Sequence, residues 1–97
     1  MKTYVIIRRR GWATPALLER AASRSRRIGD EEMSDRIRWI RSYVTTEDGV
    51  LGTVCIYQAA SPEAIREHAK RAELPADEIY EVADTVIVRP DPAAAAT

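Results

Sequence analysis

The chain has 97 residues, of which 45% are apolar and 31% are charged, a balance typical of one folded globular domain. Fifteen Lys and Arg face fifteen Asp and Glu, so the net charge gives no preference for nucleic acid, an anionic membrane or a basic partner. Length, composition and charge together exclude a second core within these residues, a disordered chain and a strongly basic nucleic-acid-binding domain.

The first part of the chain predicts a strand followed by a helix. Residues 4–7 form a short β-branched apolar run that is too short for a helix before Gly11 interrupts it. Thr14 and Pro15 supply a capping hydroxyl and a first-turn proline, which predict a helix start. Gly29 then predicts the helix end. Small or apolar residues recur between these points at helical spacing: Leu17, Leu18, Ala21, Ala22 and Ser25.

The second part predicts a hairpin, a helix and a final strand. Residues 36–45 and 50–59 are rich in strand formers, and Asp48 with Gly49 between them is a strong hairpin turn signal. Ser61 with Pro62 repeats the helix start signal. Residues 79–88 then predict a last strand, which contains the dense apolar run Thr85-Val86-Ile87-Val88.

This order of elements predicts an α+β fold, the ferredoxin-like βαββαβ sandwich. We expect one domain over residues 1–89, with a four-stranded antiparallel sheet and two helices on one face, followed by a disordered tail over 90–97. The strands carry large apolar residues on both faces, whereas a face left in water would be polar. We therefore expect a second copy of the chain to cover the other face, giving a homodimer through the sheet.

The cysteine content and the length of the apolar runs predict the cellular compartment. Cys55 is the only cysteine, so no disulfide forms within the chain, and a reducing compartment fits best. No apolar run approaches the roughly 20 residues of a membrane span. The sequence thus predicts a cytoplasmic protein with no membrane partner.

Basic clusters at 8–10 and 24–27 suggest RNA binding, but no phenylalanine is present for base stacking, and we expect no nucleic-acid partner.

The only histidine, His68, is predicted to lie on the inward face of the second helix between Ala64 and Ala72. Helix and strand rises of about 1.5 and 3.3 Å per residue place it near residues 55–57. If Cys55 and Tyr57 face the helix, rather than Val54 and Ile56, then an imidazole, a thiolate and a phenol converge. Such a set suits a transition metal but is incomplete, because a closed site needs about four ligands.

Each of these residues also has a simpler interpretation. His68 is then a core histidine that hydrogen-bonds a backbone group, and Cys55 is a small buried hydrophobe. A nucleophilic pair of Cys55 thiolate and His68 base is a further alternative. Trp39, Tyr43 and Tyr57 are candidates to line a pocket for an aromatic small molecule, or else they belong to the sheet core or the dimer interface.

Four segments, residues 38–44, 55–59, 63–69 and 73–79, carry a resemblance to a known family. The chain resembles small bacterial ferredoxin-like proteins, formally a domain of unknown function, whose named member is a nickel-binding, nickel-responsive homodimer. The resemblance spans most of residues 3–88. It implies a dimer that binds a metal or a small molecule, with His68, Cys55 and the strand of Trp39 and Tyr43 at matched positions. The spacer over residues 29–35 is longer than the family pattern leads us to expect.

The sequence therefore predicts a homodimer that binds a divalent transition metal, nickel first, through His68 and Cys55. The alternative is a cofactor-independent dimeric α/β-barrel enzyme, a monooxygenase or a cyclase, that acts on an aromatic small molecule. In that enzyme Trp39, Tyr43 and Tyr57 hold the substrate, and His68 moves a proton. A domain with a purely structural or interaction role is a third hypothesis.

Overall fold

The computed structural model describes residues 1–91 and contains four strands and two helices. In chain order they are β1 (Lys2–Trp12), α1 (Pro15–Arg27), β2 (Ile37–Glu47), β3 (Val50–Ala59), α2 (Pro62–Ala72) and β4 (Glu78–Glu81), and a π-helical segment, Ile28–Glu32, follows α1. The strands form one sheet in the order β2-β3-β1-β4, with antiparallel neighbours throughout. This arrangement confirms the predicted ferredoxin-like α+β fold.

Both helices begin at the predicted hydroxyl-proline signals. The side chain of Thr14 accepts a hydrogen bond from the backbone N–H of Leu17 at 3.2 Å, and Ser61 accepts one from Ala64 at the same distance. Each proline occupies the first helical turn, where its missing N–H leaves no bond unmade. The two caps therefore fix where the helices start above the sheet.

The core lies between the sheet and the two helices. Tyr4 and Ile6 of β1, with Cys55 and Tyr57 of β3, alternate inward and are almost completely buried. This settles the question left open by the sequence, because Cys55 and Tyr57 face the helices while Val54 and Ile56 occupy the other face. We call that other face, with Val5, Ile7, Val54 and Ile56 at its centre, the open face.

β1 continues past Gly11, where the sequence predicted its interruption. A register irregularity between Arg8 and Trp12 lets the strand continue, and Arg10 inside it has a φ of +48°. Gly52 lies opposite this bulge, and a Cβ atom there would stand 2.6 Å from the backbone oxygen of Arg8. Gly52 thus lets the backbone of β1 approach β3 closely at the bulge.

The last strand is shorter than the predicted 79–88. β4 ends at Glu81, opposite Tyr4, and only the Val82 N–H bond to the Thr3 oxygen, at 2.8 Å, continues the pairing. Because β1 begins at Lys2, it has no partner to offer the residues at 84–88. Residues 82–91 instead run over the open face toward β2, where Asp91 accepts hydrogen bonds from Arg41 and Tyr43. The apolar run at 86–88 is left more than three-quarters exposed.

Two other sequence-based expectations concern the ends and surroundings of the domain. Most of the predicted tail, residues 92–97, lies outside the described residues, and the domain limits stay a prediction. Neither helix within residues 1–91 combines the length and the apolar character needed to cross a bilayer. The cytoplasmic location also stays a prediction.

Candidate functional site

A cavity of about 260 Å³ lies between α1 and the sheet. We call it the helix–sheet cavity. Its walls are largely apolar and are formed by side chains of β1, α1, β2 and β3, among them Trp12, Leu18, Ala22, Trp39, Cys55 and Tyr57. Both tryptophans of the chain are in this lining.

The cavity exists because α1 presents small residues to the sheet. Ala21, Ala22 and Ser25 all line it, and none of them reaches far enough to fill the space above β3. The sequence had placed these three residues on one helical face together with Leu17 and Leu18. The resulting cavity is concave, largely apolar and partly open to solvent, which are the features of a small-molecule site.

Two aromatic rings form one wall of the cavity. Trp39 and Tyr57 stack with ring centroids 6.1 Å apart and an interplanar angle of 10°. The indole N–H of Trp39 donates to the hydroxyl of Ser42 at 2.8 Å, because a bulge between Trp39 and Arg41 turns Ser42 to the same side. This hydrogen bond and the stacking contact fix the orientation of the Trp39 ring.

Tyr43 does not join this pair. It is 48% exposed on the open face, where its hydroxyl donates to Asp91 at 2.6 Å. Of the three residues predicted to bind a ligand, the structure therefore brings together Trp39 and Tyr57 and places Tyr43 on the opposite side of the sheet.

His68 is buried beneath α1, beside Tyr57, with only 1% of its surface exposed and the two ring centroids 5.6 Å apart. Its Nε2 lies 3.0 Å from the backbone oxygen of Ser25, and since a carbonyl only accepts, Nε2 carries the proton and donates it. The Ser25 hydroxyl in turn lies 3.2 Å from the Tyr57 hydroxyl. Ser25 thus connects the imidazole to the phenol.

Burial sets the ionisation of both rings. It lowers the pKa of His68 below 6.5, and the nearby Arg8 charge lowers it further, although the bond to Ser25 opposes the shift. Burial raises the pKa of Tyr57 above 10.0, partly offset by Ser25 and Arg8. At neutral pH the imidazole and the phenol are therefore both uncharged, and Nδ1 of His68 holds a free lone pair.

Cys55 lies in the cavity wall and donates its thiol hydrogen to the hydroxyl of Thr53 at 3.2 Å. Within residues 1–91 no three His, Cys, Asp or Glu side chains gather closely enough to hold a metal ion. His68 and Cys55 thus supply two donors at most, and the described part of one chain does not form a closed nickel site.

Arg8 is the site residue that the sequence analysis missed. It lines the cavity, is only 2% exposed, and its guanidinium carbon lies 6.0 Å from the centroid of the Tyr57 ring. The run of three arginines at 8–10 had suggested one exposed basic cluster. The signal that could have found Arg8 is its strand parity, since it follows Tyr4 and Ile6 on the inward face.

Comparison with known proteins shows which family this chain belongs to. A family model described as nickel responsive protein SCO4226-like matches residues 4–82, which include every residue that lines the cavity. This chain belongs to the SCO4226-like family. The crystal structure of SCO4226 from Streptomyces coelicolor A3(2) is similar to it, with a TM-score of 0.70 and 21% identity over 87% of this chain and 99% of that chain. No curated protein matches this chain.

The family assignment confirms the resemblance found in the sequence. At 21% identity the SCO4226 structure establishes a shared fold and nothing finer. The description of the SCO4226-like family refers to nickel responsiveness, which is coarser than nickel binding by named residues. Nothing in the comparisons supports the alternative of a monooxygenase or a cyclase.

Proposed function

We propose that this protein is a binding protein that holds a small, largely apolar organic molecule in the helix–sheet cavity. The observation that carries the proposal is the cavity itself, about 260 Å³ in volume and walled by the stacked pair Trp39 and Tyr57. An engineered apolar cavity of about 150 Å³ in another protein is large enough to bind benzene. A molecule with one ring and a short substituent therefore fits the available space.

Tryptophan fluorescence tests this proposal directly, because Trp12 and Trp39 are the only tryptophans and both line the cavity. Titration with phenylacetamide, a neutral single-ring probe, should change the emission in a saturable way. Ala22→Phe should abolish the change by filling the cavity, whereas Ala16→Phe on the exposed side of α1 should leave it intact. An unsaturable response, or the same response in both variants, would overturn the proposal.

We further propose that the working form is a homodimer in which a second copy covers the open face. Val5, Ile7, Val54 and Ile56 are only half-buried there, and the run at 86–88 is exposed beside them. A stable interface buries about 800 Å² per partner, which one face of a four-stranded sheet is large enough to supply. Exposed apolar surface of this kind drives self-association.

Nickel binding is a second candidate function, and one observation favours it. Nδ1 of His68 is buried with no hydrogen-bond partner among the described residues, while Nε2 is held by a backbone oxygen. A metal-ligating histidine shows this pattern, because the outer hydrogen bond fixes the tautomer and leaves the other nitrogen free. The lowered pKa of His68 keeps that nitrogen unprotonated, as a metal requires. The remaining donors have to come from outside the described residues.

Equilibrium dialysis of untagged protein against nickel tests the second candidate. His68 is the only histidine, so His68→Gln removes every imidazole and should abolish retained nickel. Cys55→Ser is the matched variant, and it should remove any thiolate-to-nickel absorption band if Cys55 is a ligand. Nickel retained equally by His68→Gln would exclude His68 as the binding residue.

A further inference from the structure

The side chain of Arg8 has a hydrogen-bonding atom that nothing in the described chain satisfies. Its Nη1 donates to the backbone oxygen of Pro75, but Nη2 is buried and has no partner among residues 1–91. A guanidinium stays charged in proteins and presents its donors in a planar fork. One arm of the Arg8 fork is therefore used, and the other is buried without a partner in a side chain that lines the cavity.

No acidic side chain compensates this charge. In the part of the chain that the structure describes, ion pairs join the neighbouring Arg9 to Glu78 and Arg10 to Glu47, but none includes Arg8. Glu19 is the one carboxylate in the cavity lining, and it lies on an exposed position of α1 without an ion pair to Arg8. A buried unpaired charge is costly, so its presence in an apolar wall calls for an anionic partner.

We infer that the ligand of the helix–sheet cavity is an organic acid whose carboxylate binds the free Nη2 of Arg8 while its apolar or aromatic body lies against Trp39 and Tyr57. This inference rests on the proposed function and specifies its ligand class. A carboxylate matches the guanidinium because its two oxygens are planar and accept hydrogen bonds only. The apolar lining on the other sides of the cavity suits the rest of such a molecule.

The body of the ligand is constrained by the same walls. Trp39 and Tyr57 offer a stacked aromatic surface, and Leu18 and Trp12 lie in the same lining. A cavity of about 260 Å³ accommodates a single ring with a short acidic arm. Benzoate, phenylacetate and 3-phenylpropionate are therefore suitable probes, because they place the carboxylate at increasing distance from one ring.

The experiment compares each acid with its neutral amide, using tryptophan fluorescence and isothermal titration calorimetry on the unmodified protein. A charge-assisted hydrogen bond should give the best acid an affinity at least about tenfold higher than that of its amide. Inorganic phosphate is included as a probe without an apolar body and should not compete. Equal binding of acid and amide would overturn the carboxylate inference and leave the apolar-cavity proposal standing. Binding of neither would overturn both.

Substitutions at Arg8 supply an independent readout. In Arg8→Met the affinity for the acid should fall to that for the amide, while the affinity for the amide should not change. Removing an unpaired buried charge should also raise the denaturation midpoint of the ligand-free protein. A lowered midpoint together with an unchanged acid-to-amide ratio would assign Arg8 a purely structural role through Pro75.

Glu19→Gln is the control for a partner from within the chain. If Glu19 swings inward to neutralise Arg8 in solution, this variant should bind the acids more tightly and lose stability. Unchanged affinity and stability are expected if the partner of Arg8 is the ligand. Competition by phosphate at the affinity of the best acid would contradict an organic ligand and favour a simple anion site.

Discussion

Two buried nitrogens without partners distinguish this core at the scale of single residues. In the described chain they are Nη2 of Arg8 and Nδ1 of His68, and the two side chains both lie near the ring of Tyr57. Buried polar atoms without partners are rare in native proteins and call for an explanation such as an unseen ligand. The sequence predicted the inward position of His68, but the consecutive charges at 8–10 concealed that of Arg8.

The lowered pKa of His68 predicts a pH dependence of stability. Below about 6.5 the unfolded chain binds a proton at this residue that the native state resists, so the unfolding free energy should fall as the pH decreases through 6.5. The slope from one such group is at most about 1.4 kcal/mol per pH unit. Urea denaturation from pH 8 to pH 5 should show a smaller decrease for His68→Gln than for the wild type. Identical slopes would show that His68 does not resist protonation.

At the scale of elements, both regular alternation and one local irregularity position the site. Arg8 faces the cavity by alternation from Tyr4 and Ile6, whereas the bulge in β2 turns Ser42 to the cavity side and is not visible as alternation in the sequence. Helix starts were predictable because Thr14 and Ser61 act through short-range bonds. The end of β4 was not, because it depends on where β1 begins and not on the strand propensity of residues 82–88.

Gly52→Ala tests the contact across the β1 bulge. The added Cβ would meet the backbone oxygen of Arg8 at 2.6 Å, and backbone cannot move aside as a flexible side chain can. We expect a loss of about 1–3 kcal/mol in unfolding free energy, measured by chemical denaturation. Gly11→Ala, whose Cβ would meet only the Pro75 side chain at 3.3 Å, should lose less. A larger loss in Gly11→Ala would mean that the bulge is not constrained at Gly52.

At the scale of the whole molecule, the two faces of the sheet have different roles. The helix-covered face holds the cavity, His68 and Cys55, while the open face holds Tyr43 and the segment 82–91. The sequence predicted the fold and a sheet with one helix-covered face, because apolar patterning and element order determine both. It left open which face Cys55 occupies, and it grouped Tyr43 with Trp39 and Tyr57. It offered Trp39 and Tyr57 as pocket residues but did not predict the position or volume of the cavity, since the volume left beneath Ala21 and Ala22 depends on how closely α1 approaches the sheet.

The dimer proposal predicts the effect of a charge on the exposed run. In the isolated chain Ile87 is 76% exposed, and Ile87→Asp would place a carboxylate in the proposed interface. Sedimentation velocity at micromolar concentration should show a dimer for the wild type and a monomer for this variant. Leu17→Asp, which changes an equally apolar exposed residue on α1, should remain dimeric. A monomeric wild type would refute the proposal.

Intermolecular nuclear Overhauser effects test most directly whether a small organic molecule lies between α1 and the sheet. With phenylacetate bound to isotopically labelled protein, we predict contacts from the probe's ring protons to Trp39 and to the methyl groups of Leu18. Contacts confined to Tyr43 or to the valines at 86 and 88 would place the molecule on the open face and contradict the account.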